Sequence, residues 1–481
     1  MFKRALKSMD NQTATLNGAV TFKSTLNDVL DFYYHAPVST PEKSLELFKS
    51  AFEQDKKLAL KAAFYMRDIR NGKGRRENFR VILRWLAQNE TELFNKAVDF
   101  VPEYGRWDDI LEYVENVEVY NLVKGQLYTD QTNENPSLLA KWMPSENATS
   151  KKSKEMAKRW SSLLGMTPRE YRKMLSEIRA KIKIVESQMS QNDWADIEYT
   201  RVPSVANMRY KKAFSRHDAD RYTAFIKAAQ KGEVKINSSV LYPYQMVTEY
   251  VNFEQRHNFR KMEVDETIEA LWKQLPDYVN GKRAIAVCDV SGSMLSGQNP
   301  KVRPMDVAVS ISIYLAERNK GKMKDCFITF TDKPAFIELT GKNLAEKVTQ
   351  VFNAGVGYNT NIEAVFETII KQARRFNVHE NEMPEILFIL SDMEFDSVGG
   401  MTAFENAKQR YKDAGYKMPA VVFWNIDSKQ TQTPVEFDER GVMLVSGYST
   451  EIMKAALNLE VTNPLDMMLK VLDKYKFVDE L

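Results

Sequence analysis

A chain of 481 residues, 43% hydrophobic and 28% charged, is long enough for two or more folded domains and has the composition of a globular protein in water. Its longest apolar runs, such as Ala284 to Cys288 and Ile386 to Leu390, fall far short of the roughly 20 residues that span a bilayer. The net charge of +3 is regional: Lys141 to Lys235 holds 21 Lys and Arg against 11 Asp and Glu, a local +10 that leaves the remainder at −7. Such a block is either a polyanion-binding face or the solvated side of long helices.

The N-terminus, MFKRALKSMDNQ, is basic but carries no apolar stretch of signal-peptide length, so a cytoplasmic location is expected. From about residue 40 the apolar residues recur at helical spacing. In PEKSLELFKSAFEQDKKLALKAAFYMRDIR, Leu45, Phe48, Ala51, Phe52, Leu58, Ala62 and Tyr65 fall on one face, and Pro41 suits a first turn. ENFRVILRWLAQN, TPREYRKMLSEIRAKIKIVESQM and DADRYTAFIKAAQ continue the pattern, predicting a bundle or helical-repeat array over residues 1–279. No repeat of fixed length stands out. Two polar stretches interrupt the helices. RDIRNGKGRRENF reads as an interhelical turn at Gly72 and Gly74, without the Lys-Ser/Thr that a phosphate-binding loop needs. GRWDD reads as a helix start with Trp107 in the core and Asp108 or Asp109 near the positive end of the helix dipole.

From about residue 280 the period changes. RAIAVCD, DCFITF, AFIELT, EILFILSD, AVVFWNID and GVMLVSG read as strands. They alternate with the helical PMDVAVSISIYLAERN, KNLAEKVTQVFN, NIEAVFETIIKQARRF and MTAFENAKQRYKDAG. This predicts a doubly wound α/β domain over residues 280–481, its mainly parallel sheet covered on both faces. Cys288 and Cys326 lie in two of these strands and read as buried free thiols rather than a disulfide.

Open α/β sheets bind ligands beyond the carboxyl ends of their strands. Asp289, Ser291 and Ser293 follow the first strand there, Thr360 precedes a helix in GVGYNTNIEAV, and Asp392 ends a strong strand in ILSDMEFD. Two carboxylates and three hydroxyls, with no His or Cys nearby in sequence, suit a hard cation, Mg²⁺ or Mn²⁺. Each residue taken alone is also an ordinary cap or turn residue. The ordered set resembles the metal-ion-dependent adhesion site of von Willebrand factor A domains. That resemblance implies a cation held by Asp289, Ser291, Ser293, Thr360 and Asp392, with one position open to an acidic side chain of a protein partner.

A second resemblance joins the halves. KDCFITFTDKPAFIELTGKNLAEKVTQVFNAGVGYNTNIEAVF, RVPSVANMRY and VLYPYQMVTEYV resemble the Ro autoantigen family, in which a TROVE module of helical repeats carries an A domain. The likeness runs from about Asp193 to the C-terminus and is faint before it, where RDIRNGKGRRENF and GRWDD resemble uncharacterised TROVE-like relatives of plants, bacteria and large phages. The resemblance implies RNA as partner, in small structured or misfolded form. KKSKEMAKRW, YRKMLSEIRAKIK and MRYKKAFSRHDADRY supply the cations for it. The candidate contacts are Lys151, Lys152, Lys158, Arg159, Arg172, Arg209, Lys211, Lys212 and Arg216. The interleaved Tyr210, Phe214 and Tyr222 read as core residues more readily than as base-stacking platforms.

Catalysis is not expected. The four histidines, His35, His217, His257 and His379, form no ligand spacing, no Gly-x-Ser-x-Gly elbow is present, and two carboxylates are few for a two-metal nuclease. Two readings remain: a non-catalytic Ro-like RNA-binding protein, and a metal-dependent protein interaction scaffold that binds no RNA.

Overall fold

The structure, a computed structural model, describes residues 10–182, 185–236, 241–251, 262–299, 302–331, 333–353, 360–395, 403–458 and 460–481. Packing divides the chain into two compact units. The larger comprises 1–66, 71–73 and 199–475; the smaller comprises 67–70, 74–198 and 476–481.

The larger unit opens on an antiparallel hairpin of β1 (Gln12–Ala14) and β2 (Val20–Phe22), turned at Gly18 with φ +87°. α1 (Asp28–His35) follows, its first turn capped by the Asn27 side chain accepting from the Leu30 N–H, and it is buried from Val29 through His35. The long amphipathic stretch read after residue 40 is two helices, α2 (Pro41–Gln54) and α3 (Lys56–Arg67), because Asp55 is extended at φ −155°. Phe48, Ala51, Phe52, Ala62 and Tyr65 are buried as the spacing predicts; Leu45 and Leu58 are only half-buried.

The smaller unit is helical, its main elements being α4 (Arg76–Asn89), α5 (Val117–Thr132), α6 (Lys151–Leu163) and α7 (Pro168–Lys181). Thr167 and Glu170 close a capping box at the start of α7, ahead of the buried Tyr171, Met174, Leu175 and Ile178. The largest core side chain is Trp160, whose Nε1–H donates to the Leu111 carbonyl at 3.2 Å. The two polar motifs of this region meet in space. Asp109 accepts from Arg67 Nε at 2.8 Å and Nη2 at 2.7 Å, from Arg80 Nε at 2.9 Å and from the Arg106 backbone N–H at 3.0 Å. Arg80 and Arg76 also hold Asp108, at 2.8 and 3.3 Å. Gly105 is required here, since a Cβ on it would lie 2.6 Å from Asp109 Oδ2. GRWDD therefore forms a short 3-10 turn, Trp107–Asp109, that pairs with Arg67 and Arg76 of the first motif and with the adjoining Arg80. Trp107, expected in the core, is half-exposed, with the buried carboxylate rather than the indole anchoring the turn.

The larger unit resumes with α8 (Ser204–His217), α9 (Ala219–Lys231), α10 (Pro243–Tyr250) and α11 (Glu266–Lys273). Phe214 and Tyr222 pack against Tyr199 as core, at ring separations of 5.2 and 5.1 Å, as the sequence suggested. The sheet then forms from β3 (Ala284–Asp289), β4 (Cys326–Phe330), β5 (Phe336–Glu338), β6 (Ile386–Ser391), β7 (Ala420–Asn425) and β8 (Val442–Ser446). Between the strands lie α12 (Pro304–Arg318), α13 (Leu344–Asn353), α14 (Ile362–Arg375) and α15 (Ala403–Ala414).

Strand order is β5-β4-β3-β6-β7-β8, parallel except for the β4–β5 pair. Alternate residues of β3, β6, β7 and β8 contribute Ile285, Val287, Leu387, Ile389, Val421, Phe423, Val442 and Leu444 to one core. α14, α15 and two residues of the N-terminal segment, Ala19 and Tyr34, complete it. α12, buried along nearly its whole length, packs on the sheet, and α10 and α11 pack on α12 and α13 through bonds such as Thr248 Oγ1 to Asp306 and Trp272 Nε1 to Glu317. Cys288 is a buried free thiol, and Cys326 is free but half-buried.

Candidate metal centre at the carboxyl edge

Strand order reverses between β3 and β6, so the loops leaving these two neighbours diverge at their carboxyl ends, the position where open α/β sheets take ligands. Asp289 is the last residue of β3, and Asp392 follows the last residue of β6. Asp289 is fully buried. Its Oδ1 accepts the Ser291 N–H at 2.9 Å and its Oδ2 accepts the Ser391 hydroxyl at 2.6 Å. These bonds turn the Asp-x-Ser-x-Ser segment back on itself, and the Ser291 and Ser293 hydroxyls stand 3.0 Å apart. The short 3-10 turn Gly292–Leu295 continues, pinned by the buried Met294.

Thr360, just ahead of α14, donates its hydroxyl to the Glu394 carbonyl at 2.7 Å, two residues beyond Asp392. Asp392 is buried as well and accepts from the Glu394 N–H at 3.3 Å, across Met393, which sits in the left-handed region at φ +68°.

Burial, and then the neighbouring Asp392 charge, push the Asp289 carboxyl up to about 7, although Ser391 and Ser291 pull in the other direction. Glu394 is raised by burial and by Asp392. Among the described residues no group of three or more His, Cys, Asp or Glu side chains gathers anywhere to hold a metal. Any ion at this edge therefore relies on hydroxyl and water oxygens beside two carboxylates. That donor set suits Mg²⁺ and does not suit a soft transition metal. The sequence reading missed Ser391 and Glu394, which orient Asp289 and Thr360; Ser391 directly precedes Asp392 in ILSD, and only strand register shows that it faces Asp289.

The nine cations fall in two groups, one in each unit. Lys151, Lys152, Lys158 and Arg159 are exposed on α6, opposite the buried Ala157, Trp160 and Ser161, and Arg172 is exposed on α7. Arg209, Lys212 and Arg216 form an exposed stripe on α8 at i, i+3, i+7 spacing. Lys211 differs: it is mostly covered and clamped between Glu249 at 2.9 Å and Asp265 at 2.8 Å. Arg172 pairs with Glu146 at 2.8 Å, and Arg159 and Lys151 have acidic neighbours at 3.7 and 4.0 Å. Lys152, Lys158, Arg209, Lys212 and Arg216 make no ion pair among the described residues.

Fold and site together define a class: a helical region followed by a doubly wound α/β domain with an oxygen-rich carboxyl edge. The chain belongs to the family described as "Domain of unknown function (DUF2828)", which matches residues 15–114 and 136–283, and residues 283–475 match a second, "Domain of unknown function (DUF7788)". It is 32% identical to "Uncharacterized protein L728" of Acanthamoeba polyphaga mimivirus over 97% of this chain and 88% of that protein. The crystal structure of the Deinococcus radiodurans RO (RSR) protein aligns with 86% of this chain and 90% of that one, at 14% identity and a TM-score of 0.39, which supports no transfer of residues or function. No helix among the described residues is long and apolar enough to cross a membrane.

Proposed function

We propose that this is a non-catalytic, Ro-like RNA-binding protein of the cytoplasm, with a von Willebrand factor A-like domain that holds a divalent cation and through it an acidic side chain of a protein partner. The observation that carries the RNA reading is the set of exposed cations that make no ion pair among the described residues, Lys152 and Lys158 on α6 and Arg209, Lys212 and Arg216 on α8. Such side chains exchange condensed counterions for phosphates, which supplies most sequence-independent affinity. Lys211 contributes less than its position suggests, its charge being spent on two carboxylates.

At the carboxyl edge, Asp289, Ser291, Ser293, Thr360 and Asp392 would hold Mg²⁺ or Mn²⁺. When bound, the ion supplies an electrophilic position for a carboxylate oxygen. The chain's own part is to present prealigned oxygens: Ser391 and the Ser291 N–H fix Asp289, and the Glu394 carbonyl fixes Thr360. A scaffold that binds no RNA is the second reading, favoured by the internal pairing of Arg172, Arg159, Lys151 and Lys211.

The test is binding of the nuclease-treated protein to a structured RNA with a single-stranded tail, over a salt series with and without chelator. Five phosphate contacts give a slope of log K against log salt of roughly −4. Lys152→Glu with Lys158→Glu, and separately Arg209→Glu with Lys212→Glu, are expected to flatten it while chelator leaves it unmoved. Absence of binding at low salt would leave the scaffold reading.

A further inference from the structure

We propose that the β1–β2 hairpin is the positioning element of the metal centre, and that docking of this hairpin and binding of the cation are one coupled event. The inference rests on the metal reading above. The hairpin is fastened at two places. Near its base, Phe22 and Thr433 exchange backbone bonds of 3.0 and 2.9 Å, and the Thr21 hydroxyl donates to the Thr433 carbonyl at 2.7 Å. Its turn lies on the loop that follows Asp392: the Thr15 hydroxyl donates to the Phe395 carbonyl at 2.5 Å, the Leu16 N–H to Glu394 Oε2 at 2.9 Å, and Asn17 Nδ2 to the Glu394 carbonyl at 2.8 Å.

The Glu394 carbonyl is thus shared between Asn17 and Thr360, a proposed ligand. Asn17 acts on the cation only through that carbonyl, which fixes where the Thr360 proton goes and so where its lone pairs face. The hairpin also satisfies the Glu394 carboxylate, which is buried two residues from Asp392 and without the Leu16 N–H would be one more poorly compensated negative charge at the site. Undocking the hairpin therefore loosens one ligand and adds repulsion around another. Linkage requires the converse: a cation that favours the docked loop tightens the hairpin by the same factor.

The experiment uses the full chain with Mg²⁺ alone and Mn²⁺ alone, reading affinity by calorimetry and amide exchange over residues 12–22 with and without metal. Asn17→Ala is expected to weaken the cation about threefold to tenfold, the worth of one net hydrogen bond. Gln12→Ser, which changes an exposed side chain of β1 away from the Glu394 loop, is expected to leave affinity within twofold. In the wild type the cation slows exchange in the hairpin, and in Asp392→Ala it does not. A wild type that binds no cation overturns the metal reading and this inference with it. A wild type that binds the cation with unchanged hairpin exchange, or an Asn17→Ala variant of undiminished affinity, overturns the coupling alone. The exchange measurement needs no variant, so a misfolded substitution leaves the test intact.

Discussion

Asp109→Asn removes one charge from the network that joins the two polar motifs of the smaller unit. Arg67 is 1% exposed, and its guanidinium is held below its usual range by burial in spite of Asp109. Oδ2 of Asp109 serves both Arg67 nitrogens and the Arg106 N–H, whereas Oδ1 serves Arg80 Nε. The amide can reproduce one set and not the other, because its NH₂ would confront a second donor. Breaking a buried ion pair from one side costs about 3–5 kcal/mol. With a urea m-value near 2 kcal/mol/M, the unfolding midpoint of this unit is expected to fall by roughly 2 M. Tryptophan fluorescence is the appropriate readout, since five of the seven tryptophans, at 85, 107, 142, 160 and 194, lie in the smaller unit. A second step, Arg67→Met added to Asp109→Asn, is expected to recover part of the loss by removing the stranded cation. A midpoint shift below about 0.3 M would mean that water reaches these guanidinium groups and would refute the argument.

Burial holds the His35 ring at about 3 against 6.5 when unfolded, so the folded state keeps it neutral while the unfolded chain takes up a proton. Stability from this source is complete above pH 6.5 and falls by about 1.4 kcal/mol per unit between 6.5 and 3; urea titrations of His35→Leu are expected to show a shallower decline over that window. Lys73 is buried, bonded to Ser446 Oγ at 3.0 Å and set over the Tyr33 and Tyr65 rings at 4.7 and 5.4 Å. No ion pair holds it among the described residues, and burial lowers its amine well below the usual range. Lys73→Met is therefore expected to be neutral or stabilising by about 1–3 kcal/mol in thermal unfolding, and a lowered Tm would show that the ring contacts outweigh desolvation. Gly341→Ala would place a Cβ 2.7 Å from the Lys347 backbone nitrogen, so a soluble yield equal to wild type would argue against that close approach.

The α/β half was legible because its signals are local. Each of the six strands is a short apolar run bounded by turn residues, and the intervening helices keep a 3.6-residue period, so their order could be read directly. The oxygen cluster was legible for the same reason, the three leading residues occupying alternate positions in one loop. What escaped the reading depends on distance along the chain. The strands of the N-terminal hairpin are three residues each, QTA and VTF, too short for alternation to show, and their partners lie near residues 394 and 433. Asp109 meets Arg67 across 42 positions, and nothing in GRWDD says that its second carboxylate is the buried one. Lys211 looked like its neighbour Lys212, although a quarter-turn of helix separates a clamped cation from an exposed one.

The larger unit is discontinuous, its first 66 residues packing with residues that begin at 199. α1 packs on β8, the strand that ends at Ser446, so the partner of this early helix is synthesised about 380 residues later than the end of the N-terminal segment. At roughly 5–20 residues per second that interval is on the order of 20–75 s. Throughout it α1, whose Val29, Leu30 and Phe32 are buried in the finished molecule, lacks the strand it finally packs on. The smaller unit, contiguous apart from residues 67–70 and 476–481, can meanwhile assemble most of its core on the ribosome. Demand for chaperones during synthesis should consequently concentrate on the first 66 residues, and a ribosome-bound chain halted before β8 is expected to be cleaved there by protease while residues 74–198 resist.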